Sequence, residues 1–131
     1  MSDRRVDRSK VLADRCNVVE ECYEFMLAYA AQGVADGVEI REYLAKAAQA
    51  LKGISAAARD ELDSPFLAVL DRDAADSLAA IELALAQPAI SSQLIDNLNA
   101  SIHLRALLTD LFLIDEVLKA RQNTELRFST G

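Results

Sequence analysis

His103 is the only histidine in the chain, and it lies among side chains able to hydrogen-bond it or to bind metal with it. At helical spacing Asp96, Asn99 and Asp110 fall beside it, in a polar strip spanning roughly 140–200° of the helix circumference. Two chemistries suit a histidine in such company: accepting a phosphoryl group and ligating a metal. The structural alternative is a partly exposed side chain bonded to Asn99 one turn back. Asp96, Asn99, His103 and Asp110 are therefore the candidate polar site, with no catalytic residue and no metal ligand assigned.

Phosphate acceptance is judged from the next few residues. Four-helix phosphotransfer domains use one exposed helical histidine, in a pattern that resembles His-x-x-Lys-Gly. The residues here are His103-Leu104-Arg105-Ala106-Leu107. The cation comes one position early, which turns Arg105 about 200° from His103, where it is badly placed to neutralise a phosphate. A phosphotransfer-like domain using His103 thus stands as an alternative reading. A metal-binding four-helix bundle is the other. Carboxylate-bridged dimetal bundles place Glu-x-x-His on two helices and a Glu on each of the others. One histidine cannot supply two copies, and Ala100 stands three positions before it. Glu20, Glu21 and Glu24 point to the charged side of their helix, where solvation explains them.

Other chemistry finds no motif. Cys16 and Cys22 are six residues apart on one helix, a rise of about 9 Å, too far for a disulfide and not a metal spacing. Both lie on or beside the apolar side, as small hydrophobes. The 4 glycines stand scattered at 33, 37, 53 and 131, so no phosphate-cradling loop occurs. No cofactor is expected, and the protein is not expected to be an enzyme.

The polar strip is carried by a long C-terminal helix expected over residues 91–122, around which the rest of the chain is organised. Leu94, Ile95, Leu98, Ile102, Ala106, Phe112 and Leu113 fall within about 120° of one another, one ordinary core stripe. Leu104, Leu107, Leu111, Ile114 and Leu118 fall in a second sector, at roughly 200–280°. A helix in a single-layer bundle needs only one apolar face. The second row is therefore expected to be an interface, covered by another copy or a protein partner. Polar interruptions at Arg105, Thr109, Asp110, Asp115 and Glu116 exclude a membrane span.

Earlier segments read as three more helices. The first begins near residue 3 or 6, runs to about 31 and is capped by Gly33, with Asp36 and Glu39 at capping-box spacing before the next. Ile40, Leu44, Ala47, Leu51, Ile54, Ala58 and Leu62 form one narrow stripe that passes through Gly53 without a slip, with a break and a cap at Ser55 as the alternative. Ser64 and Pro65 start a third helix, whose stripe is Leu67, Leu70, Ala74, Leu78, Ile81 and Leu85. Asp71, Asp73 and Asp76 are poor interior helix residues and could fray it. Gln87 and Pro88 end it, and Ser91 or Ser92 caps the last helix.

The expected fold is all-α: a four-helix, up-down-up-down antiparallel bundle with a long C-terminal helix, as one domain over residues 1–122 and a mobile tail over 123–131. With 131 residues the chain can bury a core without staples, and 4 Gly and 2 Pro leave helices intact. A net charge of −7, aromatics at 5% and no Trp argue against nucleic acid and anionic membranes as partners. The first residues lack an apolar run and cleavage site, so a cytoplasmic location is expected. The function expected is a non-enzymatic helical interaction module, adaptor, chaperone-like or regulatory, and a homodimer. Whether helices are exchanged between two copies is left open by the pattern.

Overall fold

The computed structural model describes the backbone of residues 2–32 and 37–130, and the side chains of 10–32 and 38–124. Five helices account for nearly all of it: α1 (Ser2–Gln32), α2 (Gly37–Glu61), α3 (Phe66–Leu85), α4 (Ser92–Ala100) and α5 (Ile102–Thr130). No strand occurs among the described residues, and the fold is all-α. The turn and caps expected at Gly33 and Asp36 lie outside the described residues.

Each helix buries one stripe at the 3.6-residue period. In α1 it is Leu12, Val19, Cys22, Met26 and Tyr29; in α2, Ile40, Leu44, Ala47, Leu51, Ile54 and Ala58. Helix α2 runs unbroken through Gly53. The missing side chain there has a use: Arg15 of α1 lies over it, donating to the carbonyls of Gln49 at 3.2 Å and Ala50 at 3.1 Å. A Cβ at position 53 would come within 2.5 Å of that guanidinium. Helix α3 begins just after Ser64-Pro65, one residue later than expected, with Pro65 at its N-cap and the Ser64 hydroxyl accepting from the Phe66 amide at 3.1 Å. Ser91 caps α4, accepting from Leu94 at 3.0 Å.

The expected final helix is two helices. Ser101 leaves the helical conformation, with φ −64° and ψ 139°. Its amide still donates to Leu98 at 3.1 Å, while its hydroxyl accepts from Leu104 and its carbonyl from Arg105, each at 3.3 Å. One residue thus closes α4 and caps α5. A wheel drawn straight across it assigns the wrong side of α5 to the core. Ile95 and Leu98 of α4 are buried, and so are Leu104, Leu107, Leu108, Leu111 and Ile114 of α5. Helix α5 continues to Thr130, past the end expected near residue 122.

Helix α1 packs on α2 and α4, and α3 packs on α2 and α5. The Tyr29 hydroxyl donates to the Ile90 carbonyl at 2.7 Å, tying the end of α1 to the chain entering α4. Near the start of α2, Arg41 donates to the carbonyls of Leu85, at 3.0 Å, and Gln87, beyond the end of α3. At the other end Arg121 of α5 donates to the Glu61 carbonyl at 3.2 Å. Among the described residues no helix is long and apolar enough to cross a membrane.

Leu107 is fully buried in the isolated chain, so Leu107→Ala should lower unfolding stability by about 2–5 kcal/mol in urea denaturation. Unchanged stability would mean that this residue is not core.

Candidate functional site

The polar residues that come together lie along the seam between α3 and α5. Helix α3 contributes Asp73, Asp76 and Ser77, three and four residues apart and hence on one side of the helix. Ser77 occupies a core position and is fully buried, its hydroxyl donating to the His103 carbonyl at 2.9 Å. That bond fixes the first turn of α5 against the middle of α3. Beside it His103 Nδ1 lies 3.8 Å from Asp76 Oδ2, with both side chains half exposed. Such a pair contributes little to stability in water.

Two turns further along α5, Asp110 faces Asp73. Asp110 is only 5% exposed, and its Oδ2 meets no hydrogen-bond donor among the described residues. Burial pushes its carboxyl up to about 7, with the hydrogen bond to Asp73 and the charge of Asp73 adding to the effect. Two carboxylates are acceptors only, so a hydrogen bond between them requires a proton on one of them. One proton on either acid would bridge the pair.

Of the four polar residues expected to form one site, the structure brings His103 and Asp110 to the same seam. The bend at Ser101 separates the other two. Asp96 is exposed, and Asn99 is turned inward on α4, where neither of its amide atoms finds a partner among the described residues. Asp73, Asp76 and Ser77 were not recognised from sequence as site residues. One signal was available: Ser77 sits within the stripe Leu70, Ala74, Ile81, Ala84, where a polar residue needs a partner.

The expected contact row is corrected outright. Leu104, Leu107, Leu111 and Ile114 are buried within the chain, and Leu118 packs against the same core. Conversely Ile102, Phe112 and Leu113, expected in the core, are exposed, as is Val117. The cause is again Ser101, since the two apolar sectors belong largely to two differently oriented helices.

A small void of about 10 Å³ beside Met26 and Leu107 is lined by apolar side chains together with Cys22 and Tyr23, with room for about one water. An open groove between α1 and α5 is lined by Glu20, Tyr23, Glu24, Arg105 and Phe112 among others. Burial raises the Glu20 carboxyl from its ordinary value, helped by Asp115 and Glu24 and opposed by Lys119. No three potential metal-ligating side chains converge among the described residues. No known protein family, curated protein or solved structure matches the chain.

Both thiols are free, and burial pushes Cys16 up to about 11, aided by Glu20 and Asp115, and Cys22 up to about 12. A thiol reacts as its thiolate. Folded protein at about pH 7 should therefore react slowly with an aromatic disulfide reagent and completely once unfolded in urea. Rapid stoichiometric labelling of the folded state would contradict this.

Proposed function

We propose that the protein is a non-enzymatic helical interaction module, of adaptor, chaperone-like or regulatory kind, acting in the cytoplasm and self-associating through the outer side of α5. In this reading α1, α2 and α3 are three members of an up-down-up-down bundle, and α4 and α5 together take the fourth place. The supporting observation is the apolar surface that α5 retains after its core side is filled.

Leu113, Val117 and Ala120 stand at positions i, i+4 and i+7, all exposed, with Ile102 and Ala106 on the same line. The spacing is that of a seam between two helices. The stripe runs into a part of α5 that its own chain does not cover: residues 119–124 are exposed without exception. A helical segment without tertiary packing is marginal in water, so these turns gain stability from a covering surface. A second copy suits as the occupant despite the net charge of −7. Along residues 115–121 Asp115 and Glu116 are balanced by Lys119 and Arg121, so like charge does not oppose contact there.

Full burial of such side chains contributes about 1.5–3 kcal/mol each, and about half remains to be gained where they are already half covered. Ile102, Leu113 and Val117, counted twice across a two-fold contact, then supply about 5–9 kcal/mol. Association costs roughly 4–15 kcal/mol. The dimer is accordingly weak and concentration-dependent. The phosphotransfer alternative gains nothing from the seam, where the Asp76 carboxylate rather than a cation stands beside His103.

Light scattering across a concentration series up to about millimolar tests the reading. Wild type should shift from monomer toward dimer, and Leu113→Glu with Val117→Glu should stay monomeric with unchanged helix content. A wild type that remains monomeric throughout would remove self-association. A dimer indifferent to both substitutions would remove α5 as its contact.

A further inference from the structure

We propose that Asp110 and Asp73 form a proton-dependent latch between α5 and α3, in which one shared proton holds the two helices together and its loss loosens the seam. The latch acts within one chain and does not require that α5 bind a second copy.

The geometry carries the argument. Asp110 is nearly covered, its Oδ2 finds no partner among the described residues, and Asp73 of α3, the helix packed on α5, is the acid beside its carboxyl. The charged groups around the seam offer no compensation. From α3 come Asp73 and, three residues on, Asp76, already beside His103. From α5 itself comes His103, seven residues before Asp110 and directed at Asp76. Helix α4 carries Asp96, which is exposed. Glu20 of α1 is influenced by Asp115 and Lys119, elsewhere on α5, and Glu61 of α2 offers only its carbonyl, to Arg121.

With the proton present, the hydroxyl of one acid donates to the other, and the stranded oxygen gains a partner. Without it, two like charges share a poorly hydrated seam with no paired cation among the described residues, and separation that admits water is the available relief. The direction follows from linkage. Asp110 binds its proton more tightly in the folded chain than in the unfolded one. Its contribution is complete below the ordinary carboxyl range and is lost as pH rises through about 7. Glu20, also raised, acts in the same sense, so the effect of Asp110 has to be isolated by substitution.

Asp110→Asn is the isolating variant, because its amide can donate to Asp73 at every pH. Thermal unfolding is measured between about pH 5 and about pH 8 in the His103→Gln background, which removes the histidine from the titration. The midpoint temperature of the parent should fall across this range by several degrees more than that of the variant, and the variant should be the more stable at the alkaline end. Identical pH slopes, or a variant equally destabilised at every pH, would overturn the latch. Carbon NMR of the Asp110 carboxyl gives an independent reading: a midpoint near neutrality supports it, and one in the ordinary carboxyl range refutes it. Opening at the seam itself is read by amide exchange at residues 104–114, corrected for the intrinsic effect of pH. Protection there should fall about tenfold or more in the parent relative to the variant at alkaline pH, and equal protection would exclude loosening.

Discussion

The seating of the last helix depends on one bend in the backbone. If Ser101 were helical, the apolar side of α4 and that of α5 would lie on different sides of one continuous rod, and the other helices could cover only one. With Ser101 extended, Ile95 and Leu98 pack together with Leu104, Leu107 and Leu111 in one core. The interruption costs a few backbone hydrogen bonds, each contributing about 0.5–1.5 kcal/mol, and the serine hydroxyl restores part of the loss. Burying Leu104, Leu107, Leu108, Leu111 and Ile114 contributes about 8–15 kcal/mol as an upper figure. Burial decides the outcome, and the helix breaks where a capping residue makes breaking inexpensive.

The helices are further registered by long side chains that bond backbone carbonyls of their neighbours. Arg41 takes carbonyls at and beyond the end of α3, Arg121 takes one at the end of α2, and Tyr29 takes one in the connection before α4. The last carbonyls of a helix lack internal partners, and a cation near a helix C-terminus also meets the favourable end of its dipole. Arg15 differs in bonding carbonyls in the body of α2, reached because Gly53 leaves the backbone bare. These bonds fix the ends of the bundle. The bidentate Arg59 and Asp71 pair between α2 and α3 is half exposed and adds comparatively little.

Most of the helical framework was legible in the sequence because period and caps agree. The stripe through Gly53 and the Ser91 cap stand as expected, and α3 starts within a residue of the Ser64-Pro65 signal. The bend at Ser101 was missed because Asn99-Ala100-Ser101 carries neither Gly nor Pro, and a serine inside a periodic run reads as helix unless tested as a cap. Everything downstream inherited that error: the interface row became core, and the polar strip was divided. Asp73 was unreadable for another reason. It pairs with a residue far along the chain, and no local pattern reports which acid an opposing helix will meet. The helical continuation past residue 122 was hidden by the loss of amphipathic periodicity there.

The acid pair and the apolar stripe occupy adjoining sectors of α5, with Asp110 between the buried row and the line of Leu113 and Val117. Ionising Asp110 in place costs a few kcal/mol, well below what the neighbouring leucines contribute, so deprotonation loosens the seam without releasing the helix. A second copy lying over Leu113 and Val117 would also exclude water from the mouth of that seam. Less hydration disfavours the carboxylate further, so association would raise the proton affinity of the pair. Linkage then works in reverse with the same magnitude: a proton on the pair strengthens the contact, and its loss weakens it. The sign follows from desolvation, because among the described residues neither acid is paired with a cation whose rearrangement could oppose it.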